Sequence, residues 1–223
     1  MEYVYAATSA QEFSLYQSYA RSIDAQLREY LRFLKCSYRV TELPNCIVFT
    51  SAETATRRIS RIPLPGYTNE YRTVFCPELS VWKDIYLRQL EDGDIPEVRS
   101  YYESKLTDNH VLQILGHEFV HHSDLFLDEA YEKARWFEEG MCEYISRLYF
   151  LSEAQFREEA RINQLLTDHY ETLRGVQPLA SFCADTYTGS LCDIFYFYWK
   201  SFLKTAEIVG YFILNPLLHI NCR

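Results

Sequence analysis

Apolar side chains return every three or four residues over long parts of this chain, which is the spacing of helices with one buried face. The longest such stretch near the N-terminus covers residues 10–34. In the second half the spacing predicts helices over residues 108–124, 136–149 and 190–209, and a capping box at residues 152–155 opens another. The chain beyond residue 106 is therefore predicted to be mainly helical.

Two short runs of β-branched and aromatic residues in the first half predict strands, at Cys46–Thr50 and at residues 71–76. Shorter helical patterns follow them, over residues 51–61 and 79–90. The prediction is a single domain of the α+β class. It has a small N-terminal β-sheet with helices in residues 1–106 and a mainly helical half in residues 107–223.

Composition and charge narrow the classes of protein to which the chain can belong. Of its 223 residues 48% are apolar, which allows a sizeable core, and its net charge of -9 disfavours nucleic acid and anionic lipid as partners. The sequence has no apolar span of about 20 residues and no basic leader, so we expect no membrane insertion and a cytoplasmic location. Seven cysteines without a C-x-x-C pair argue against a disulfide framework and against a cysteine-based zinc site.

The candidate chemistry lies in His117-Glu118-Phe119-Val120-His121, which has the form H-E-x-x-H. Residues four apart share one face of a helix, so both imidazoles can bind a single zinc ion. Glu118 lies near that face and can take a proton from a water molecule, which makes it the candidate general base. The two histidines are incomplete as a site, because a catalytic zinc needs a third protein ligand and one open position.

Residues 136–144 read W-F-E-E-G-M-C-E-Y and resemble the second active-site helix of the gluzincin (peptidase MA-like) superfamily of zinc metallopeptidases. The resemblance covers residues 107–147. It implies that Glu139, which precedes Gly140 and follows His121 after 17 residues, is the third zinc ligand. Glu138 is the weaker alternative. A metzincin would continue as H-E-x-x-H-x-x-G-x-x-H, and this sequence has neither that glycine nor that third histidine.

The same resemblance implies three further features. An acidic residue one turn after the third ligand orients the first histidine in some gluzincins, which suggests this role for Glu143. A tyrosine or histidine downstream stabilises the oxyanion, and Tyr196 and Tyr198 are favoured over Tyr187 and His169. Gluzincins bind peptide along an edge strand, for which residues 71–76 are a candidate; an ordinary interior strand fits them equally well.

These residues together predict a zinc metallopeptidase of zincin-like architecture. It would bind one zinc ion through His117, His121 and Glu139, and hydrolyse peptide bonds of a peptide or protein substrate with Glu118 as general base. Three alternatives stay open: a zinc-binding but catalytically inactive binding module, a narrow regulatory protease with one partner protein, and a hydrolase of non-peptide amides.

Overall fold

A four-stranded sheet and a long helix form the N-terminal half of the structure, a computed structural model that describes residues 1–90, 93–126 and 128–214, without the side chains of residues 128–133 and 211–214. The strands are β1 (Glu2–Ala6), β2 (Cys46–Thr50), β3 (Gly66–Thr68) and β4 (Arg72–Phe75), and the long helix is α1 (Ala10–Tyr38). The other helices are α2 (Leu79–Arg88), α3 (Pro96–Ser104), α4 (Asp108–Val120), α5 (Asp128–Phe150), α6 (Glu153–Arg174) and α7 (Leu191–Leu214). Shorter helical turns lie at Thr54–Ile59, Leu179–Ser181 and Ala184–Thr188.

The predicted α+β class and the small N-terminal sheet are confirmed, as are the strand at Cys46–Thr50 and the long helices. Two strands and one helix, β1, β3 and α3, were not predicted individually because each is short and has no long apolar period. In α5 the residue Ala134 departs from helical geometry, with φ -132° and ψ 25°. This kink lies two residues before the predicted helix start at residue 136.

The strand order is β1-β2-β4-β3. Strands β1, β2 and β4 run parallel, and β3 pairs antiparallel to β4 with Gly66 opposite Phe75. Residues 71–76 therefore contain an interior strand, so of the two alternatives that the sequence left equally open the interior strand is confirmed and the peptide-binding edge is wrong. The edge on this side is β3, whose three residues follow two prolines and resemble a loop in the sequence.

Both faces of the sheet are covered, as parallel sheets require. On one face Phe49 and Phe75 meet Tyr19 of α1, with ring centroids 6.0 and 6.3 Å from the tyrosine ring. On the other face Val48 and Val74 pack with Ala55 of the turn at Thr54–Ile59. None of the helices in the described residues combines the length and apolar character needed to span a bilayer.

Helix α4 lies in the centre of the molecule and contacts α1, α5 and the edge strand β3. Tyr30 of α1 is fully buried and donates a hydrogen bond of 3.1 Å to the carbonyl oxygen of Gly116. A Cβ at Gly116 would lie 3.1 Å from the Tyr30 ring and would collide with the ring of Phe150. The glycine thus permits α4 to approach its neighbours closely at the residue before His117.

Gly140 has the same function where α5 meets α7. A Cβ at this position would lie 2.5 Å from the carbonyl oxygen of Ser201 and would collide with the side chain of Thr205. Because one obstacle is backbone, a rotamer change alone cannot relieve the contact.

Replacing Gly140 by alanine is expected to lower the free energy of unfolding by about 1–3 kcal/mol, the usual effect of overpacking. Gly210→Ala on α7 is the matched control, because a Cβ there meets no atom of the described residues within 4 Å. This control is expected to raise the stability by about 0.5–1 kcal/mol, since alanine is the better helix former. Urea unfolding curves measure both changes, and equal effects would contradict the close approach of α5 to α7.

Candidate metal centre

Helix α4 carries the H-E-x-x-H motif on its last turn. His117 and Glu118 are buried, with 4% and 7% of their surfaces exposed, and His121 follows directly after the helix in helical conformation. The two imidazole rings lie with their centroids 4.9 Å apart. The predicted common face for the two histidines is thus present, and their Nε2 atoms are separated by 3.1 Å.

Glu139 of α5 completes a triangle with these two atoms. Its Oε2 atom lies 3.2 Å from Nε2 of His117 and 3.5 Å from Nε2 of His121. Glu139 is 2% exposed, and Oε2 makes no hydrogen bond within the described part of the chain. A buried carboxylate oxygen without a donor is unfavourable, so this atom requires a partner.

The triangle has the dimensions of a zinc site. Tetrahedral ligands at 2.0–2.1 Å from a zinc ion lie about 3.3 Å from one another. The three observed separations, between 3.1 and 3.5 Å, fall around that value. The donor set, two imidazoles and one carboxylate, is also one that catalytic zinc uses.

A carboxylate faces the opposite nitrogen of each imidazole. Oε1 of Glu143 lies 2.9 Å from Nδ1 of His117, and Oε1 of Glu138 lies 2.8 Å from Nδ1 of His121. The contact of Glu138 is a hydrogen bond and favours a proton on Nδ1 of His121, whereas Glu143 lies at ion-pair distance from Nδ1 of His117 without hydrogen-bond geometry. The carboxylate oxygen and the two Nε2 atoms need a positive charge between them, which a proton on His121 or a bound metal cation supplies.

Cys142 is the residue in this region that sequence reasoning underestimated. It is completely buried, and its sulfur forms a group with His117 and His121 in which the potential ligand atoms all lie within 4.8 Å of one another. Burial raises the pKa of its thiol to about 12, whereas metals bind the thiolate. The shorter distances of Glu139 favour the carboxylate as third ligand, and Cys142 is the competing candidate.

The charges of the site influence one another strongly. Burial alone would raise the pKa of Glu139, but the adjacent imidazoles of His121 and His117 hold it well below its usual range. Burial raises the pKa of Glu118, and the two imidazoles oppose this shift only in part. The pKa of His121 is raised although burial lowers it, because Cys142 and the neighbouring glutamates outweigh the desolvation.

A cleft of about 780 Å³ opens onto these residues. One wall is residues 66–70, which comprise β3 and the turn after it. His122 links this wall to α4, since its Nε2 lies 2.9 Å from Oγ1 of Thr68. The sequence placed His122 only at a helix end, because a contact between residues 54 positions apart leaves no mark on local spacing.

Two tyrosines lie on the side of the cleft nearest Glu139. Tyr187 donates a hydrogen bond of 3.3 Å to Oε1 of Glu139, and its hydroxyl is 2.6 Å from that of Tyr198. The ring centroid of Tyr198 is 6.0 Å from that of His117. Of the four candidate oxyanion donors, these two are the ones that line the cleft.

The other two candidates lie elsewhere, so the structure contradicts the preference for Tyr196 as an oxyanion donor and does not bring His169 to the site. The hydroxyl of Tyr196 donates to Glu171 at 2.7 Å and accepts from Lys200 at 2.7 Å, on the far side of α7. Two residues along a helix correspond to about 200° of rotation, so Tyr196 and Tyr198 point in nearly opposite directions. His169 lines a separate cavity beside Gly93.

Three isosteric variants distinguish the candidate ligands. Glu139→Gln is expected to lose most of the bound zinc, because the neutral amide replaces the charged oxygen of the triangle. Cys142→Ser is expected to retain about one zinc per chain, and Glu138→Gln to retain it with reduced affinity, since outer partners change affinity about 10–100-fold. Elemental analysis after dialysis against a mild chelator measures the metal. Loss in Cys142→Ser with retention in Glu139→Gln would instead establish a His₂Cys ligand set.

Comparison with known proteins adds no relative to this description. No protein-family profile matches the chain, and neither the curated proteins nor the solved structures include a significant match to it.

Proposed function

We propose that this chain is a zinc-dependent metallopeptidase of zincin-like architecture. His117, His121 and Glu139 hold one zinc ion, and Glu118 acts as general base. The observation that carries the proposal is the buried convergence of two imidazole nitrogens and one carboxylate oxygen within 3.5 Å, at the floor of an open cleft.

The role of each group in the proposed reaction follows from its chemistry. When bound, zinc supplies a Lewis acid that acidifies a water molecule and polarises a carbonyl group. Glu118 follows His117 directly and lines the same cleft, so its carboxylate is available to take a proton from the attacking water. The same carboxyl group then delivers the proton to the departing amine, the usual role of a general base that becomes an acid.

Tyr198 is the proposed donor to the oxyanion. Burial raises the pKa of its hydroxyl well above the usual value, so the group keeps its proton and can donate it. Tyr187 donates to Glu139 and therefore accepts from Tyr198, which holds Tyr198 beside the proposed zinc ligand; to donate to the oxyanion, the Tyr198 hydroxyl would turn its proton away from Tyr187.

The edge strand β3 supports an extended peptide as the substrate. One side of β3 pairs with β4, and its residues form the wall of the cleft above the H-E-x-x-H helix. A strand at a sheet edge offers its free N–H and C=O groups to an extended chain, which adds as a further strand. The cleft volume of about 780 Å³ lies within the range of roughly 300–1,000 Å³ common for ligand pockets.

Glu118→Gln is expected to abolish hydrolysis while leaving the zinc content at the wild-type level. The amide has the same shape and cannot accept the proton of the attacking water, whereas it is not a proposed ligand. A panel of fluorogenic peptides and elemental analysis on the same samples measure the two properties. Undiminished hydrolysis by this variant would contradict the assignment of Glu118 as the general base.

Tyr198→Phe is expected to lower kcat about 10²–10³-fold, the effect of removing one oxyanion donor, with zinc retained. Tyr196→Phe is the matched control, because it removes the hydroxyl of a buried tyrosine on the same helix that faces away from the cleft. Its kcat is expected to stay at the wild-type value. Equal kcat values for the two variants would refute the role of Tyr198.

A further inference from the structure

A buried arginine lies between a buried and a largely buried carboxylate beneath the candidate metal centre. Arg147 of α5 contacts Oε2 of Glu143 through Nη1, and its Nε lies 3.3 Å from Oε2 of Glu159 on α6. The three side chains are 9%, 13% and 8% exposed. The guanidinium also lies over the ring of Phe202, 4.5 Å from its centroid, so its position is fixed from a third side.

These ionic contacts continue in both directions. Toward the cleft, the second oxygen of Glu143 faces Nδ1 of His117 at 2.9 Å. Away from it, Oε1 of Glu159 accepts a hydrogen bond of 2.5 Å from the hydroxyl of Tyr101. That hydroxyl lies 3.2 Å from Nε2 of His110 in the first turn of α4. The series of contacts therefore connects His117, near the C-terminal end of α4, with His110 in the first turn of the same helix.

Stability alone is a weak reason for such an arrangement. Withdrawing charged groups from water costs several kcal/mol for each ion, and well-packed apolar residues often replace a buried ionic group without loss of stability. The ionic contacts do, however, fix the orientation of the Glu143 carboxylate. Because Arg147 binds one oxygen of Glu143, the other oxygen is left facing His117.

We propose that Arg147 and Glu159 are positioning residues that hold Glu143 against Nδ1 of His117 and thereby set the affinity of the centre for zinc. The inference rests on the zinc centre of the proposed function and does not require peptide hydrolysis. Without Arg147, the carboxylate of Glu143 would keep the imidazole of His117 as its one ion-pair partner among the described residues. It would then be free to turn away, and His117 would lose the partner that orients its ring.

The test is a double-mutant cycle in zinc affinity, measured by competition with a chelating dye. Arg147→Met and Glu143→Gln are each expected to weaken zinc binding about 10–100-fold. The double variant is expected to bind no more weakly than Glu143→Gln, because Arg147 acts through that carboxylate. Arg147→Lys keeps the charge and is expected to recover part of the affinity.

Arg157→Met on α6 is the matched control, since Arg157 forms an ion pair of the same i,i+4 spacing with Glu153 that is 71% and 82% exposed. Its affinity for zinc is expected to be unchanged. Glu159→Gln is a milder variant for the case that Arg147→Met does not fold, and a several-fold loss of zinc affinity is expected from it. Urea unfolding in the presence of a chelator checks the fold of each metal-free variant.

Several outcomes would overturn the inference. Wild-type affinity in both Arg147→Met and Glu159→Gln would remove the positioning role, and so would additive losses in the double variant. Wild-type protein that binds no zinc would overturn both the inference and the proposed function. Zinc affinities coupled as expected, in a protein that cleaves no peptide, would support the inference and leave only the proposed reaction refuted.

Discussion

The constraint on which the rest of the structure depends is the convergence of three acceptor atoms in a buried place. Nε2 of His117, Nε2 of His121 and Oε2 of Glu139 lie within 3.5 Å of one another, on two different helices. In a medium of low polarity such atoms repel each other unless a proton or a cation lies between them. The surroundings must therefore hold α4 and α5 together against this repulsion and favour a positive charge between the three atoms.

Close backbone packing meets the first requirement, and glycines make it possible. Gly116 precedes His117 and lies against Tyr30 and Phe150, whereas Gly140 follows Glu139 and lies against the backbone of α7. Two of the three proposed ligands, His117 and Glu139, are thus adjacent to a glycine whose missing side chain allows a neighbouring element to pack closely against the helix. Such tight contacts limit the small displacements that would move ligand atoms out of reach.

Carboxylates behind the imidazoles meet the second requirement. Glu143 and Glu138 face the Nδ1 atoms, and both Nε2 atoms face Glu139. The arginine behind Glu143 extends this order into α6, at a distance from the cleft. On the open side the demands are different, because β3, His122 and the tyrosines form a surface on which a substrate can lie. The same fold therefore packs helices tightly beneath the site and leaves the edge strand β3 accessible above it.

The sequence by itself determined what depends on spacing within one element. The H-E-x-x-H motif places two histidines on one face because helical periodicity is local. For the same reason the spacing of apolar residues predicted α1 and the helices of the second half. Packing between elements decided the rest. The three residues of β3 are too few for a periodic pattern, so only their pairing with β4 marks the edge. The choice of Tyr198 over Tyr196, and the approach of Cys142 and Arg147 to the site, depend on how α5, α6 and α7 are rotated against each other. Those rotations are set by the fit of side chains far apart in the chain, which local spacing does not encode.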